Sequence, residues 1–167
     1  ETRNLINQFL RYPENSAGSI MTIEYVEFHE GTTVAEAMSL IKKVGLDKET
    51  IYTLYIIDRA RRLLGTLALR KMILADNSAV LSDMMDANPV FVHTTDDQEK
   101  VADLVRRYDL LAIPVVDTEE RLVGIITADD VMDVIEQENT EDFEKMAALT
   151  PSEEEYLKTP VLRMAIN

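Results

Sequence analysis

Pro114-Val-Val-Asp117, followed by Thr118-Glu-Glu-Arg-Leu-Val-Gly124, repeats an earlier stretch, Tyr55-Ile-Ile-Asp58 followed by Arg59-Ala-Arg-Arg-Leu-Leu-Gly65. Asp58 and Asp117 are 59 residues apart, as are Gly65 and Gly124. Upstream, Ser19-Ile-Met-Thr22 pairs with Asp83-Met-Met-Asp86, and Val26-Glu-Phe28 with Val90-Phe-Val92, at an offset of 64. The first copy therefore carries extra residues, which fall around Val44–Glu49. Matched motifs in matched order mark an internal duplication.

Each copy follows the same grammar. A short apolar strand (Val26–Phe28; Val90–Val92) leads into a polar turn and an amphipathic helix. In the second copy that helix is predicted near Asp97–Arg107, with Val101, Leu104 and Val105 on one face. Two β-rich runs follow, Tyr52–Ile57 and Leu63–Leu67, then Ala112–Val116 and Leu122–Thr127, joined by charged turns as hairpins. Leu69–Ala75 and Ala128–Glu138 close the copies as helices, the latter starting on a capping-box-like Thr127 and Asp130. Two β-α-β-β-α copies, each too small to close its own core, are expected to pack in pseudo-twofold fashion in an α/β (α+β) fold. Flanking helices are expected at Asn4–Tyr12 and after Thr150-Pro151-Ser152, with Tyr12–Gly18 as a linker.

The chain has 167 residues, of which 46% are apolar and 29% charged, enough for a sizeable core. No apolar run is long enough to span a membrane, and the first residues lack the basic start and apolar stretch of a signal peptide. The absence of cysteine excludes disulfides and thiolate metal sites and suits a reducing compartment. Two histidines, His29 and His93, give no zinc-ligand spacing, and the five glycines form neither a dinucleotide fingerprint nor a phosphate-binding loop. Net charge is −14, with 11 acids and 3 bases after residue 128. That balance opposes nucleic acid and anionic lipid and favours cations, a basic partner or solubility.

The repeated hydrophobic-Val/Ile-Asp and Arg-Leu-hydrophobic-Gly pattern, with [ST]-x-x-Asp in the second copy, resembles a cystathionine β-synthase (CBS) domain pair, or Bateman module, over roughly residues 19–138. Other stretches sharpen the resemblance: Tyr12-Pro-Glu-Asn-Ser-Ala-Gly-Ser-Ile-Met-Thr22, Thr95-Asp-Asp-Gln-Glu-Lys-Val-Ala102, Arg107-Tyr-Asp-Leu-Leu-Ala-Ile-Pro-Val-Val-Asp117 and Thr127-Ala-Asp-Asp-Val-Met-Asp-Val-Ile-Glu136. Together they are similar to the cytosolic region of MgtE-type magnesium transporters. The resemblance implies residues 1–18 as the end of an acidic helical domain plus linker, 19–78 and 79–139 as the two CBS repeats, and 140–167 as a connecting helix toward a transmembrane pore outside this chain. It also implies a homodimer built through the CBS modules, at the cytoplasmic face of the membrane. The apolar faces Val131/Val134/Ile135 and Val101/Leu104/Val105 suit either that dimer or the internal core.

Asp130 and Asp133 lie three apart on one helix face, Glu99 and Asp103 four apart on another, and Asp109 just past the latter's end. If packing brings Asp109 to the Asp130/Asp133 face, two carboxylates at ~6 Å repel by roughly 3 kcal/mol at an effective dielectric near 20. A divalent ion removes that repulsion, and Mg²⁺, a hard ion that keeps its waters, needs few carboxylates. The ordinary alternative is that Asp130 caps a helix and Asp133 is a solvated acid. The resemblance implies Mg²⁺ sites at Asp109, Asp130 and Asp133, with Glu99 and Glu141 as further matches, and regulation by Mg²⁺-dependent compaction instead of catalysis.

CBS pairs also bind adenosine nucleotides, the [ST]-x-x-Asp aspartate holding the ribose. Thr127 and Asp130 keep that pattern in the second repeat; Ala68 and Lys71 stand there in the first, which argues against ATP at that position. Adenosine-nucleotide sensing is the alternative function. No base converges with the acids in any motif, so an enzyme is not expected.

Overall fold

The computed structural model describes residues 11–149. The expected helices at Asn4–Tyr12 and beyond Ser152 therefore lie largely or wholly outside the described residues. Chain contacts divide the protein after Val134 into two units.

In the first unit the elements run α1 (Ala17–Ile20), β1 (Glu27–His29), α2 (Val34–Val44), a 3₁₀ turn (Gly45–Asp47), β2 (Thr53–Ile57), β3 (Leu63–Ala68) and α3 (Leu69–Ile73). The second repeat follows with α4 (Leu81–Met84), β4 (Val92–His93), α5 (Gln98–Tyr108), β5 (Ala112–Val116) and β6 (Leu122–Thr127). Helix α6 (Ala128–Leu149) begins here and continues unbroken through residue 139, the expected end of the repeat, into the second unit. The extra residues of the first copy form the 3₁₀ turn.

Both sheets have three strands, in order β1-β2-β3 and β4-β5-β6. In each, the first pair is parallel and the hairpin antiparallel, and the register slips at equivalent points, Ile56/Ile57 and Val115/Val116. Strand β2 shows how one segment serves two cores. Leu54 and Ile56 point into a cluster with Phe28, Ala37, Ile41 and Met72 under the first repeat. Tyr55 and Ile57, on the opposite face, join Tyr25, Ala112, Leu122 and Ile125 between the repeats. Burial on both faces explains why these strands read as continuous apolar runs.

The helices start where their sequences direct. Thr33 and Glu36 close a full capping box on α2, and Lys42 and Lys43 sit in its last turn, where the helix dipole favours cations. Asp97 accepts from the Glu99 N–H at 2.8 Å to cap α5. Val101, Val105, Val131 and Val134 are all buried within the chain, so these side chains fill the interior instead of forming a free dimer face.

The stretch expected to be a linker is docked. The Ala17 and Gly18 N–H groups donate to the Asp96 and Thr94 carbonyls at 2.7 and 2.8 Å, and Thr22 pairs with Ile125. Residues 15–22, at the front of the first repeat, thus attach to the second. Residues 77–86, leading the second, attach to the first: Val34 and Leu81 exchange bonds with Ala79 and Thr32, and Asp86 pairs with Thr66. The repeats are cross-braced by reciprocal leading segments. Their hairpin tips also meet, the Leu63 N–H donating to the Glu120 carbonyl and the Leu122 N–H to that of Arg61.

Candidate functional site

The repeated Asp…Arg motif has a structural task. Arg62 Nε donates to Asp58 Oδ2 at 2.8 Å while its N–H donates to Oδ1 at 2.9 Å; Arg121 treats Asp117 identically, at 2.8 and 2.9 Å. Each pair clamps a hairpin turn whose preceding residue, Arg61 or Glu120, has positive φ. The backbone N–H of Arg62 and its guanidinium hold the Asp58 carboxyl below the usual carboxylate range. At Asp117 partial burial opposes the charge, but the N–H groups and guanidinium of Arg121 and Glu119's N–H outweigh it, and the carboxyl is again depressed.

Other acids are similarly committed. Asp96 pairs with Lys100 at 3.1 Å, Asp103 with Arg106 at 3.0 Å and Glu27 with Arg61 at 3.1 Å. Asp109, Asp130 and Asp133 differ: none makes an ion pair among the described residues. Asp130 is half-buried at the start of α6, its N–H donating to Thr127 Oγ1 at 3.4 Å, and Asp133 is exposed one turn on. Asp109 caps α5 in the left-handed conformation, φ 50°, and is exposed. Glu99 is exposed in the first turn of α5. In the second unit, Glu141 accepts from Gln137 Nε2 at 3.1 Å. Among the described residues no three acid or imidazole side chains converge into a metal cage. A cation at these acids would therefore be held by no more than two carboxylates, with water completing its shell, an arrangement that Mg²⁺ tolerates.

Asp109 instead lines a cleft of about 500 Å³ between the repeats. Its walls include Thr53, Thr66 and Lys71 from the first repeat and Tyr108, Ala112 and Pro114 from the second. Here the expectation about Ala68 and Lys71 acquires geometry. Ala68 offers α3 no side-chain cap, and Lys71 Nζ donates to the Met84 carbonyl at 2.7 Å, bracing a leading segment. Motif spacing did not reveal this cleft's Thr53, Thr66 and Asp86, because they meet only once the leading segment crosses to the other repeat.

The CBS domain family matches residues 17–77 and 81–137, one repeat each. This chain belongs to the CBS domain family. Over 148 residues, 89% of the chain, it is 46% identical to the magnesium transporter MgtE of Thermus thermophilus and 38% identical to that of Enterococcus faecalis, covering 33% of each. The CBS pair thus spans about a third of the length of the curated relatives it matches. Among solved structures it is similar to the cytosolic domain of the Mg²⁺ channel MgtE in complex with ATP, with a TM-score of 0.78 and 46% identity, covering 80% of this chain and 54% of that one. No helix among the described residues is long and apolar enough to cross a membrane.

Proposed function

We propose that this CBS pair is the Mg²⁺-responsive regulatory module of a magnesium transporter, at the cytoplasmic face of the membrane, acting on a pore in the same polypeptide. The observation that carries the proposal is the distribution of charge: Glu27, Asp58, Asp96, Asp103, Asp117 and Glu119 have lysine or arginine partners, while Asp109 and the one-turn pair Asp130 and Asp133 have none among the described residues. Uncompensated carboxylates in a chain of net charge −14 repel one another and favour any arrangement in which a hydrated divalent ion lies between them. Mg²⁺ shifts a population only if it binds the compact arrangement more tightly. Glu99 and Glu141 are secondary ligands in this reading. The module works as a homodimer, for which the exposed Ile73 and its repeat counterpart Met132 supply apolar surface.

The test is a melting curve titrated with Mg²⁺ at constant ionic strength. A site with Kd near 1 mM stabilises by about 1.4 kcal/mol at 10 mM Mg²⁺. A saturable rise that Na⁺ does not reproduce, and that Asp130→Asn with Asp133→Asn removes, supports the proposal. An unchanged rise in that variant refutes the site.

A second reading rests on the inter-repeat cleft and on the ATP complex of the MgtE cytosolic domain. In it the cleft takes an adenosine nucleotide, with Lys71 turned toward phosphate. Calorimetric titration with ATP tests it: binding weakened by Lys71→Ala supports this use of the cleft, and unchanged binding removes Lys71 from it.

A further inference from the structure

A second cleft lies on the hairpin side of the repeats, with a volume of about 600 Å³. The duplication supplies its internal control. Under the repeat offsets, its residues Ile23, Tyr25, Arg61 and Leu122 correspond to Ala87, Pro89, Glu120 and Leu63, which line a cleft of only about 260 Å³. Small-molecule sites occupy roughly 300–1,000 Å³. The first cleft falls within that range and its counterpart below it.

The chemistry has diverged with the size. Among the described residues, Glu120 is the sole charged one lining the small cleft. In the large one, Arg61 stands in Glu120's place, and Lys48 is added by the extra residues that only the first copy carries. That insertion is anchored beside the cleft, the Glu49 N–H donating to the Glu24 carbonyl at 2.9 Å. With Arg121 the lining holds three cations against two acids, Glu27 and Asp117, in a strongly acidic chain. Lys48 makes no ion pair among the described residues, and Arg61, paired with Glu27, keeps its side chain 54% exposed. Val26, Leu40 and Val44 give the same cleft an apolar wall, on which Leu40 is exposed.

We propose that this cleft binds a small amphipathic phosphate ester, its apolar or aromatic body against Val26, Leu40 and Val44 and its phosphate on Lys48 and Arg61. A guanidinium and an ammonium together match a phosphate dianion. Arg121 is held in its hairpin clamp and contributes field more than contact.

Phenyl phosphate is the probe, followed by amide chemical shifts and calorimetry on the whole chain in the absence of Mg²⁺. Saturable shifts at Lys48, Arg61 and Val123 are expected, with inorganic phosphate binding more weakly. Lys48→Ala and Arg61→Glu are each expected to weaken phenyl phosphate by about tenfold. Glu is tolerated at the second position, because Glu120 occupies the equivalent positive φ, 62° against 66°. Binding unchanged in both variants, or no shifts at these residues, overturns the proposal. Binding lost in Lys71→Ala but kept in the other two places the probe in the inter-repeat cleft and overturns it as well.

Discussion

Met21 presses its sulfur against Gly124, so closely that a Cβ added to the glycine would lie 2.5 Å from Sδ. Met85 does the same to Gly65, where the added Cβ would also lie 2.5 Å from the Asp86 carbonyl oxygen. The repeated glycine of the motif is thus where the other repeat's leading segment lands. Overpacking costs ~1–3 kcal/mol when neighbours must shift. Gly65→Ala should lie at or above the top of that range, since a backbone carbonyl is in the way; Gly124→Ala should cost less, since Met21 is a flexible side chain. Urea denaturation of both variants checks the order, and equal losses would show that the Asp86 backbone yields.

Tyr55 is fully buried, edge-on to Tyr25 with ring centroids 5.8 Å apart, and its hydroxyl has no hydrogen-bond partner among the described residues. Burial pushes that hydroxyl well above the usual phenol range. Because an unsatisfied buried hydroxyl costs about 1–3 kcal/mol, Tyr55→Phe should stabilise the protein by about 1 kcal/mol or more. A lower melting temperature for the variant would mean that the hydroxyl has a partner in solution.

The Asp117–Arg121 clamp makes stability depend on pH in one direction. A carboxyl whose folded pKa is depressed contributes above its unfolded value, about 3.9, and the contribution is lost as pH falls through the folded value. With solvent screening it amounts to about 1 kcal/mol or less. Melting temperatures between pH 6 and pH 2 should fall less steeply for Asp117→Asn than for the parent chain. Parallel curves would remove the clamp from the acid response.

Helix α6 starts on Thr127, and helix α3 starts on Ala68 with no side-chain cap. Ala68 already has the extended backbone of a capping residue, φ −68° and ψ 134°. Ala68→Thr should therefore stabilise by about 0.5–1 kcal/mol, and Thr127→Ala should cost about as much, near the low end for caps because its bond is 3.4 Å long. Chemical denaturation of both variants tests the pair of opposite signs.

The hairpin strands were legible because their apolar runs are buried on both faces; Ala112–Val116 and Leu122–Thr127 match the structure residue for residue. Strands β1 and β4 run one or two residues later than Val26–Phe28 and Val90–Val92, since they are three and two residues long and their parallel partners decide where pairing begins. The single turns Ala17–Ile20 and Leu81–Met84 are too short to show a period and are fixed by docking on the opposite repeat. Buried Gln98, at the start of α5, gave no apolar signal. Among the site residues, spacing placed Asp130 and Asp133 on one helix. That they make no ion pair among the described residues emerges only from the structure, where Arg61, Arg62, Arg106, Arg121 and Lys100 pair with other acids.

The crossed leading segments also order the events of folding. The first repeat's brace arrives soon after its sheet, because Asp86 follows Thr66 closely in the chain. The second repeat's brace is synthesised first and waits, since Thr22 meets Ile125 only after roughly a hundred intervening residues have been made. One copy can thus close as a local hairpin-and-helix unit, while the other depends on a long-range closure. A nascent chain stopped short of Ile125 leaves Met21 and its neighbours as a free end, exposed apolar surface with its docking site not yet built.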